Sequence, residues 1–580
     1  MCGIFAAYLN KPEAGYKTFE GLKKLEYRGY DSWGVALLQD DQTISVSKEI
    51  GTIGDSTLDL VGSVAIGHTR WATHGGVTKQ NAHPHLSCDK KFAVIHNGII
   101  DNYLELKSEL LARGHVFESG TDTEVFAHLL EEKTFWDSFA VLDGYNAIVA
   151  LDAQNGTIYA AKTGSPLVVG IGKDNTYYLA SDPAALTEYT CTVCFVEDMQ
   201  GVQISDNGFT LFDLSTHTPV AYSLSTLEVS DVQTTRNGYE HFLDKEINEQ
   251  PEVIRLIAET SSDQIQQLTR AISRSYGTYF VACGTAYNAA LAGAYLFSKI
   301  AKRHINITQA SEFSYLSGFI RKESLVVALT QSGETIDVIE ALKAAHNKGA
   351  TIASLVNVQG STVDRLSAVC VHLLAGPEKA VLATKSYIAK LTVLLLTAYA
   401  LSENITQGQE LLHTVSSEVT RLLSIEMRNQ LQKIAQKIAQ SPSIFLIGRG
   451  SSYADAIEGA LKIKEVSYIH AEGFAGGELK HGSIALIEEK TPVIVFAPPD
   501  ETYRAIISNA MEVKARGAYV IGVSNKPLEV FDEYIHVADV GVASPIANII
   551  PIQQLAYFLA LERGCDPDKP RNLAKSVTVR

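Results

Sequence analysis

Cys2 directly follows Met1, and a residue that small permits removal of the initiator methionine. Removal would leave an α-amine and a thiol on one residue. The amine titrates near about 7.7–8.0 and the thiol near about 8.5, so the amine can take the thiol proton near neutral pH and release a nucleophile. A thiolate attacking a carboxamide creates an oxyanion that needs donors. His96-Asn97-Gly98 follows a strand pattern and offers two, the Asn97 amide and the Gly98 backbone N–H. An amino-acid substrate also carries an α-carboxylate, which Arg70 can take as a planar fork. Its α-ammonium suits Asp122, within Gly120-Thr121-Asp122-Thr123-Glu124.

A second chemistry is written farther along. Thr330-Gln331-Ser332-Gly333-Glu334-Thr335 joins an apolar strand to a helical pattern. Hydroxyls and backbone N–H groups at a helix N-terminus cradle a phosphate, although such a turn is more often plain capping. No Gly-Lys-Ser/Thr ending follows, so this is not a nucleotide P-loop. Glu458, Lys462 and Glu465 recur on one face of a predicted helix. They read either as a surface ion-pair ladder or as acid and cation beside a flexible loop, Gly473 to Gly482, that carries His481. Aldose–ketose isomerisation needs such a set: a group to open the ring, a carboxylate to move a proton between neighbouring carbons, and a cation near the developing enolate. The terminal stretch Pro570 to Arg580 keeps Leu573, Val577 and Val579, so it is expected to pack, and Lys575 within it can condense with a ketone.

These residues need elements to hold them. Residues 1–215 show short strands, turns and few helical patterns, Tyr16 to Leu25 and Tyr103 to Arg113 being the clearest, which predicts an α+β unit built on packed sheets. The polar stretch 216–238 reads as a linker. Beyond it, apolar strands alternate with long helical patterns, the mark of βαβ units and parallel sheets. The pattern occurs twice, at 239–420 and 421–580. In each copy a strand runs into a small-residue turn, a hydroxyl and an Ala-rich helix: Tyr279 to Thr285, and Ile444 to Ser452. Gly448-Arg449-Gly450 lacks the third glycine of a dinucleotide fingerprint.

Bulk properties narrow the partners. A formal net charge of -16 leaves no electrostatic footprint for nucleic acid or an anionic membrane. Seven cysteines, odd in number, fit a reducing compartment, and the lone pair Cys191 and Cys194 reads as ordinary strand cysteines. His68, His74, His83, His85 and His96 cluster without paired acids or thiols, so no metal site is assigned. The N-terminus does not read as a signal peptide, and the apolar run Leu391 to Leu401 is too short to span a bilayer. A cytoplasmic protein is expected.

The motifs also appear in a known order. Cys2-Gly3-Ile4, Tyr27 to Ser32, His68 to Gly75, His96 to Ile99 and Thr121 to Glu124 resemble N-terminal-nucleophile glutamine amidotransferase domains. Lys462 to Glu465, Gly477 to Gly482 and Asn572 to Val579 resemble the tandem sugar-isomerase domains of the isomerising glutamine–fructose-6-phosphate aminotransferase (glucosamine-6-phosphate synthase) family. The likeness covers nearly the whole chain. It implies an α+β N-terminal-nucleophile (Ntn) glutaminase domain followed by two tandem α/β sugar-isomerase (SIS) domains with parallel sheets. It also implies the substrates L-glutamine and fructose 6-phosphate, no cofactor, and a homodimer.

By the same resemblance Cys2 is the nucleophile, and Asn97 and Gly98 form the oxyanion hole. Arg70, Trp71, Thr73, His74 and Asp122 hold glutamine, with Trp71 gating ammonia. Lys575 forms the imine, Glu465 shuttles the proton, His481 opens the ring, and Lys462 assists. Thr285, Thr330, Gln331, Ser332, Thr335 and Val381 bind the sugar phosphate. Three departures stand out: Ala286 and Ala383 replace two sugar-site hydroxyls, and Trp33 replaces a small residue. A hydrogen bond lost to a charged phosphate is worth about 1.5–3 kcal/mol. Another ketose phosphate, or a non-catalytic sugar-phosphate-binding regulator, are therefore the alternatives.

Overall fold

The computed structural model describes residues 2–54, 60–227 and 235–577. The chain forms two compact units, the first made of residues 1–231 with 334–336 and 574–580, the second of 232–333 and 337–573.

In the first unit two antiparallel sheets stack face to face. Among the described residues one has eight strands and the other seven. Gly3–Tyr8 lies inside the larger sheet, between Tyr177–Ala180 and Val64–Arg70. Side chains alternate across a strand, and both faces here are apolar. Ile4 and Ala6 meet Ala93, Ile95, Ala147 and Val149 of the second sheet in one core. Phe5 and Ala7 point the other way, against Phe19 and Leu22 of helix Ala14–Leu25. Trp33 joins that outer core, edge-on to Phe19 at 5.3 Å, so the bulky departure fills space beneath the helix. The stretch expected as a linker is in part sheet: Thr218–Pro219 and Ser225–Thr226 add short edge strands. Residues 228–234 of that stretch lie outside the described residues.

The second unit holds two parallel sheets, each of five strands among the described residues. One runs Asn306–Gln309, Gly277–Ala282, Ser324–Leu329, Thr351–Val356, Val369–His372. The other runs His470–Ala475, Ser443–Gly448, Pro492–Ala497, Tyr519–Ser524, Glu533–His536. Both have the order 2-1-3-4-5, which confirms the internal repeat. In that order the chain reverses direction across the sheet between strands one and three, and a crevice opens at their C-terminal ends. Thr285 and Thr330 follow those ends in the first copy. A single apolar core runs through both copies, from Phe280 and Leu391 to Ile463 and Ile549. Helix Lys385–Leu401 is almost wholly buried in it. Gly541–Glu562 is, among the described residues, the one helix long and apolar enough to cross a membrane; 94% of its apolar window is buried, as in a core helix.

One expectation needs correcting. Gly473 opens no flexible loop; it sits in strand His470–Ala475, paired with Leu446. A Cβ there would lie 2.6 Å from Ile457 Cα, so glycine is required because helix Ser452–Ser467 presses onto the strand.

Candidate active sites

The register Gly3↔Thr69 carries Cys2 to the end of strand Val64–Arg70. Cys2 Sγ donates to Trp71 O at 3.6 Å and accepts from Trp71 N–H at 3.4 Å. Asn97 Nδ2 donates to Cys2 O at 3.1 Å. His68 Nε2 faces both His96 O at 2.9 Å and Asn97 Oδ1 at 3.1 Å, two acceptors, so that nitrogen carries the hydrogen. Burial pushes His68 down to about 3, which keeps the ring neutral. Asn97 is thus locked with its amide N–H toward the Cys2 carbonyl. Gly98 has φ +144, and a Cβ would lie 2.6 Å from His96 Nε2, so no other residue fits.

The Arg70 guanidinium is buried, and burial lowers it from its ordinary value against the pull of Cys2, Asp122 and Asp31. It donates to Gly75 O at 3.2 Å and Gly76 O at 3.3 Å, and also to His74 O. Asp122 Oδ2 accepts from Ile100 N–H at 2.8 Å. Trp71 and His74 are half-buried, His74 edge-on to Tyr103 at 5.2 Å, and Thr73 is exposed. Asp31 had no assigned role. Its Oδ2 accepts from Ala72 N–H at 2.8 Å while its own N–H donates to Arg70 O at 3.0 Å, which fixes the backbone on either side of Trp71.

The other histidines serve the fold. His68 stacks on His83 at 4.2 Å, His85 Nε2 meets Thr121 Oγ1 at 3.0 Å, and His96 lies 2.9 Å from both Thr123 Oγ1 and Asn146 Oδ1. Burial lowers His83, His85 and His96 as well. These neutral rings tether the Thr121–Thr123 segment, and with it Asp122, to the second sheet.

In the second unit the acidic–basic face of helix Ser452–Ser467 is no surface ladder. Lys462 and Glu458 are fully buried and Glu465 is 21% exposed. Lys462 Nζ lies 2.7 Å from Glu465 Oε2 and 3.4 Å from Glu458 Oε1, and donates to Thr285 Oγ1 at 2.9 Å. Burial works against the Lys462 charge, but Glu458 and Glu465 overcome it and raise the ammonium above its ordinary value. Asn288 Nδ2 donates to Glu458 Oε2 at 2.8 Å. Asn288 and Glu458 therefore position Lys462, roles that helical spacing alone did not reveal. Thr285 stands at the first sheet's switch point, so this cluster borders the expected ligand crevice.

One turn up the same helix, burial raises the Asp455 carboxyl from 3.8 to about 7; Glu458 and Asp500 add to the rise, and hydrogen bonds from Asn548 and Ser452 oppose it. The folded chain then holds a proton that the unfolded chain releases between about pH 4 and 7. The contribution of Asp455 to stability therefore falls as pH rises through that window, by up to about 1.4 kcal/mol per unit. Asp455→Asn removes this contribution. From pH 5 to pH 7 the urea midpoint should fall less, or rise more, in the variant than in the parent; an unchanged difference would mean a charged carboxylate throughout.

In the turn Thr330 to Thr335, Thr330 is buried, its N–H donating to Leu355 O at 3.0 Å and its Oγ1 accepting from Gly333 N–H at 3.2 Å. Gln331, Ser332 and Thr335 are half-buried. Gln331 O accepts from Asn357 N–H at 3.2 Å, and helix Ile336–His346 follows. Val381 is half-buried, in a turn that Glu378 organises by accepting from Thr384 N–H at 2.9 Å and from the Ser386 hydroxyl at 2.8 Å. Its N–H donates to Asp568 O at 3.2 Å. His481 is exposed on the short turn Leu479–His481. Lys575 is half-buried, and two residues beyond it Val577 O accepts from Ile336 N–H at 3.0 Å.

The comparisons agree with this division of labour. A glutamine amidotransferase domain model matches residues 68–188, and a SIS domain model matches 272–400 and 437–557. The C-terminal domain of glucosamine–fructose-6-phosphate aminotransferase from Francisella tularensis superposes with a TM-score of 0.55 at 31% identity, covering 58% of this chain and 100% of that one. Two proteins named glutamine–fructose-6-phosphate aminotransferase [isomerizing] align over 100% of both chains: that of Pyrococcus horikoshii at 40% identity and that of Clostridium tetani at 38%. On full-length identity at this level, the chain belongs to the isomerising glutamine–fructose-6-phosphate aminotransferase family.

Proposed function

We propose that this enzyme makes glucosamine 6-phosphate and glutamate from fructose 6-phosphate and glutamine, with the two chemistries on separate sets of residues. Cys2, freed of Met1, attacks the glutamine carboxamide. Asn97 Nδ2 and Gly98 N–H receive the oxyanion, Arg70 and Asp122 hold the amino-acid end with Trp71, Thr73 and His74 around them, and ammonia leaves. For the sugar chemistry Thr330, Gln331, Ser332 and Thr335 take the phosphate, and Thr285 and Val381 border the sugar. His481 opens the ring, Lys575 forms an imine with the ketone, and Glu465 carries a proton between C1 and C2 while Lys462 offsets the growing negative charge. The observation that carries this reading is the buried Lys462–Glu465 pair at 2.7 Å beside Thr285. A homodimer in the cytoplasm is the accompanying reading, from family likeness.

Ala286 and Ala383 favour a second acceptor as the alternative: both are half-buried at positions where the family resemblance implies hydroxyls. Amide-labelled ¹⁵N-glutamine supplied with a panel of ketose phosphates separates the readings. Label should enter an amino sugar most efficiently from fructose 6-phosphate, and Lys575→Ala should abolish that transfer while glutamate release persists. Preferential labelling from another ketose phosphate would move the assignment to that sugar.

A further inference from the structure

Apart from both sites, Cys88, His115, His128 and Glu131 bring one ligand-type atom each to within 4.8 Å of one another. They come from the turn before strand Phe92–Gly98, the loop after helix Tyr103–Ala112, and helix Glu124–Leu129 with the turn behind it. Cys88 Sγ lies 3.4 Å from His128 Nδ1 and 3.8 Å from His115 Nδ1. Glu131 Oε1 lies 3.0 Å from His128 Nδ1 and 3.5 Å from His115 Nδ1. A tetrahedral zinc ion, with bonds of about 2.3 Å to sulfur and about 2.0 Å to nitrogen and oxygen, holds S and N about 3.6 Å apart and N and O about 3.3 Å apart. The four distances bracket those values.

The surroundings are also those of a metal site. Metal-bound histidines usually donate their second nitrogen to a carboxylate, which fixes the ring. His115 Nε2 lies 2.9 Å from Glu132 Oε1, and His128 Nε2 lies 3.6 Å from Glu124 Oε1. Val116 N–H donates to Cys88 Sγ at 3.5 Å, and Cys88 N–H to Glu131 Oε1 at 2.7 Å. The His128 side chain is 2% exposed and those of His115 and Glu131 are 10% and 15% exposed.

We propose that Cys88, His115, His128 and Glu131 bind one divalent ion of the zinc class. One thiolate, two imidazoles and one carboxylate suit zinc and disfavour magnesium or calcium. Four protein ligands close the shell, so the ion is structural. Its effect passes to the glutamine side through Glu124, which also accepts from Glu118 N–H at 2.7 Å, Ser119 N–H at 2.8 Å and the Ser119 hydroxyl at 2.6 Å, just ahead of Asp122. The competing account is a metal-free hydrogen-bond cluster of the same side chains.

Full-length protein, stripped with a chelator and dialysed, should take up one equivalent of Zn²⁺. With Co²⁺ it should show the near-ultraviolet thiolate-to-cobalt band and the intense visible bands of a tetrahedral site. Cys88→Ser should lose the near-ultraviolet band, and Glu132→Gln should weaken binding by about 10–100-fold through the loosened His115 ring. Uptake by the wild-type chain below about a tenth of an equivalent overturns the proposal without recourse to any variant. An unchanged cobalt spectrum in Cys88→Ser overturns the ligand set.

Discussion

Cys2→Ala should lower glutamine-driven amino-sugar formation by at least about 10³-fold, since removing a nucleophile leaves only binding and the oxyanion donors to act. The fold should not suffer: Cys2 Sγ meets the Trp71 backbone, and the strand that follows is held by pairing on both sides. Interconversion of the bare sugar phosphates, which uses other residues, should survive. Three of the other thiols offer no good substitute. Burial pushes Cys194 and Cys283 up to about 11 and Cys370 up to about 12, the last with help from Asp364, so each stays protonated at neutral pH. Glutamate release and amino-sugar yield, measured side by side with sugar isomerisation, decide the matter. Retention of more than about a tenth of the glutaminase rate would place the nucleophile elsewhere.

How much the sequence disclosed depended on whether the signal was local. The cysteine at position 2, the His96-Asn97-Gly98 turn and the doubled strand–turn–helix pattern are contiguous and could be read directly; Cys2 O lies 3.1 Å from Asn97 Nδ2. Spacing also put Glu458, Lys462 and Glu465 on one face, but not what covers that face. An exposed ladder and a buried charge cluster share the same periodicity, and only packing against helix Gly284–Leu296 makes Thr285 and Asn288 the partners. Gly473 misled in the opposite way: glycine-rich sequence suggested mobility where close helix–strand packing demanded the missing side chain. The crowded rings His68, His83, His85 and His96 hydrogen-bond within the core instead of gathering around a metal. A cluster with ligand geometry joins Cys88 to three residues well beyond it, a grouping that exists only once the second sheet and its helices have formed.

Lys462→Met should destabilise the isomerase unit by about 3–5 kcal/mol, because the change strands Glu458 without its buried counter-charge. Burial already raises the Glu458 carboxyl above its ordinary value, and Lys462 is the main influence drawing it back. Without that cation the side chain must either take up a proton or bring in water. Glu458→Gln in the same chain removes the charge and leaves an amide for Asn288 to bond, so the double variant should recover much of the lost stability. Neither Lys462→Met nor the double variant should retain sugar isomerisation, which loses the cation beside Glu465 and is expected to fall by about 10²-fold or more. Urea midpoints and isomerase rates for the two single variants and the pair form a double-mutant cycle. Additive stability changes would show that the buried pair is uncoupled. A double variant with wild-type isomerisation would free Lys462 from the chemistry and leave it a purely structural cation.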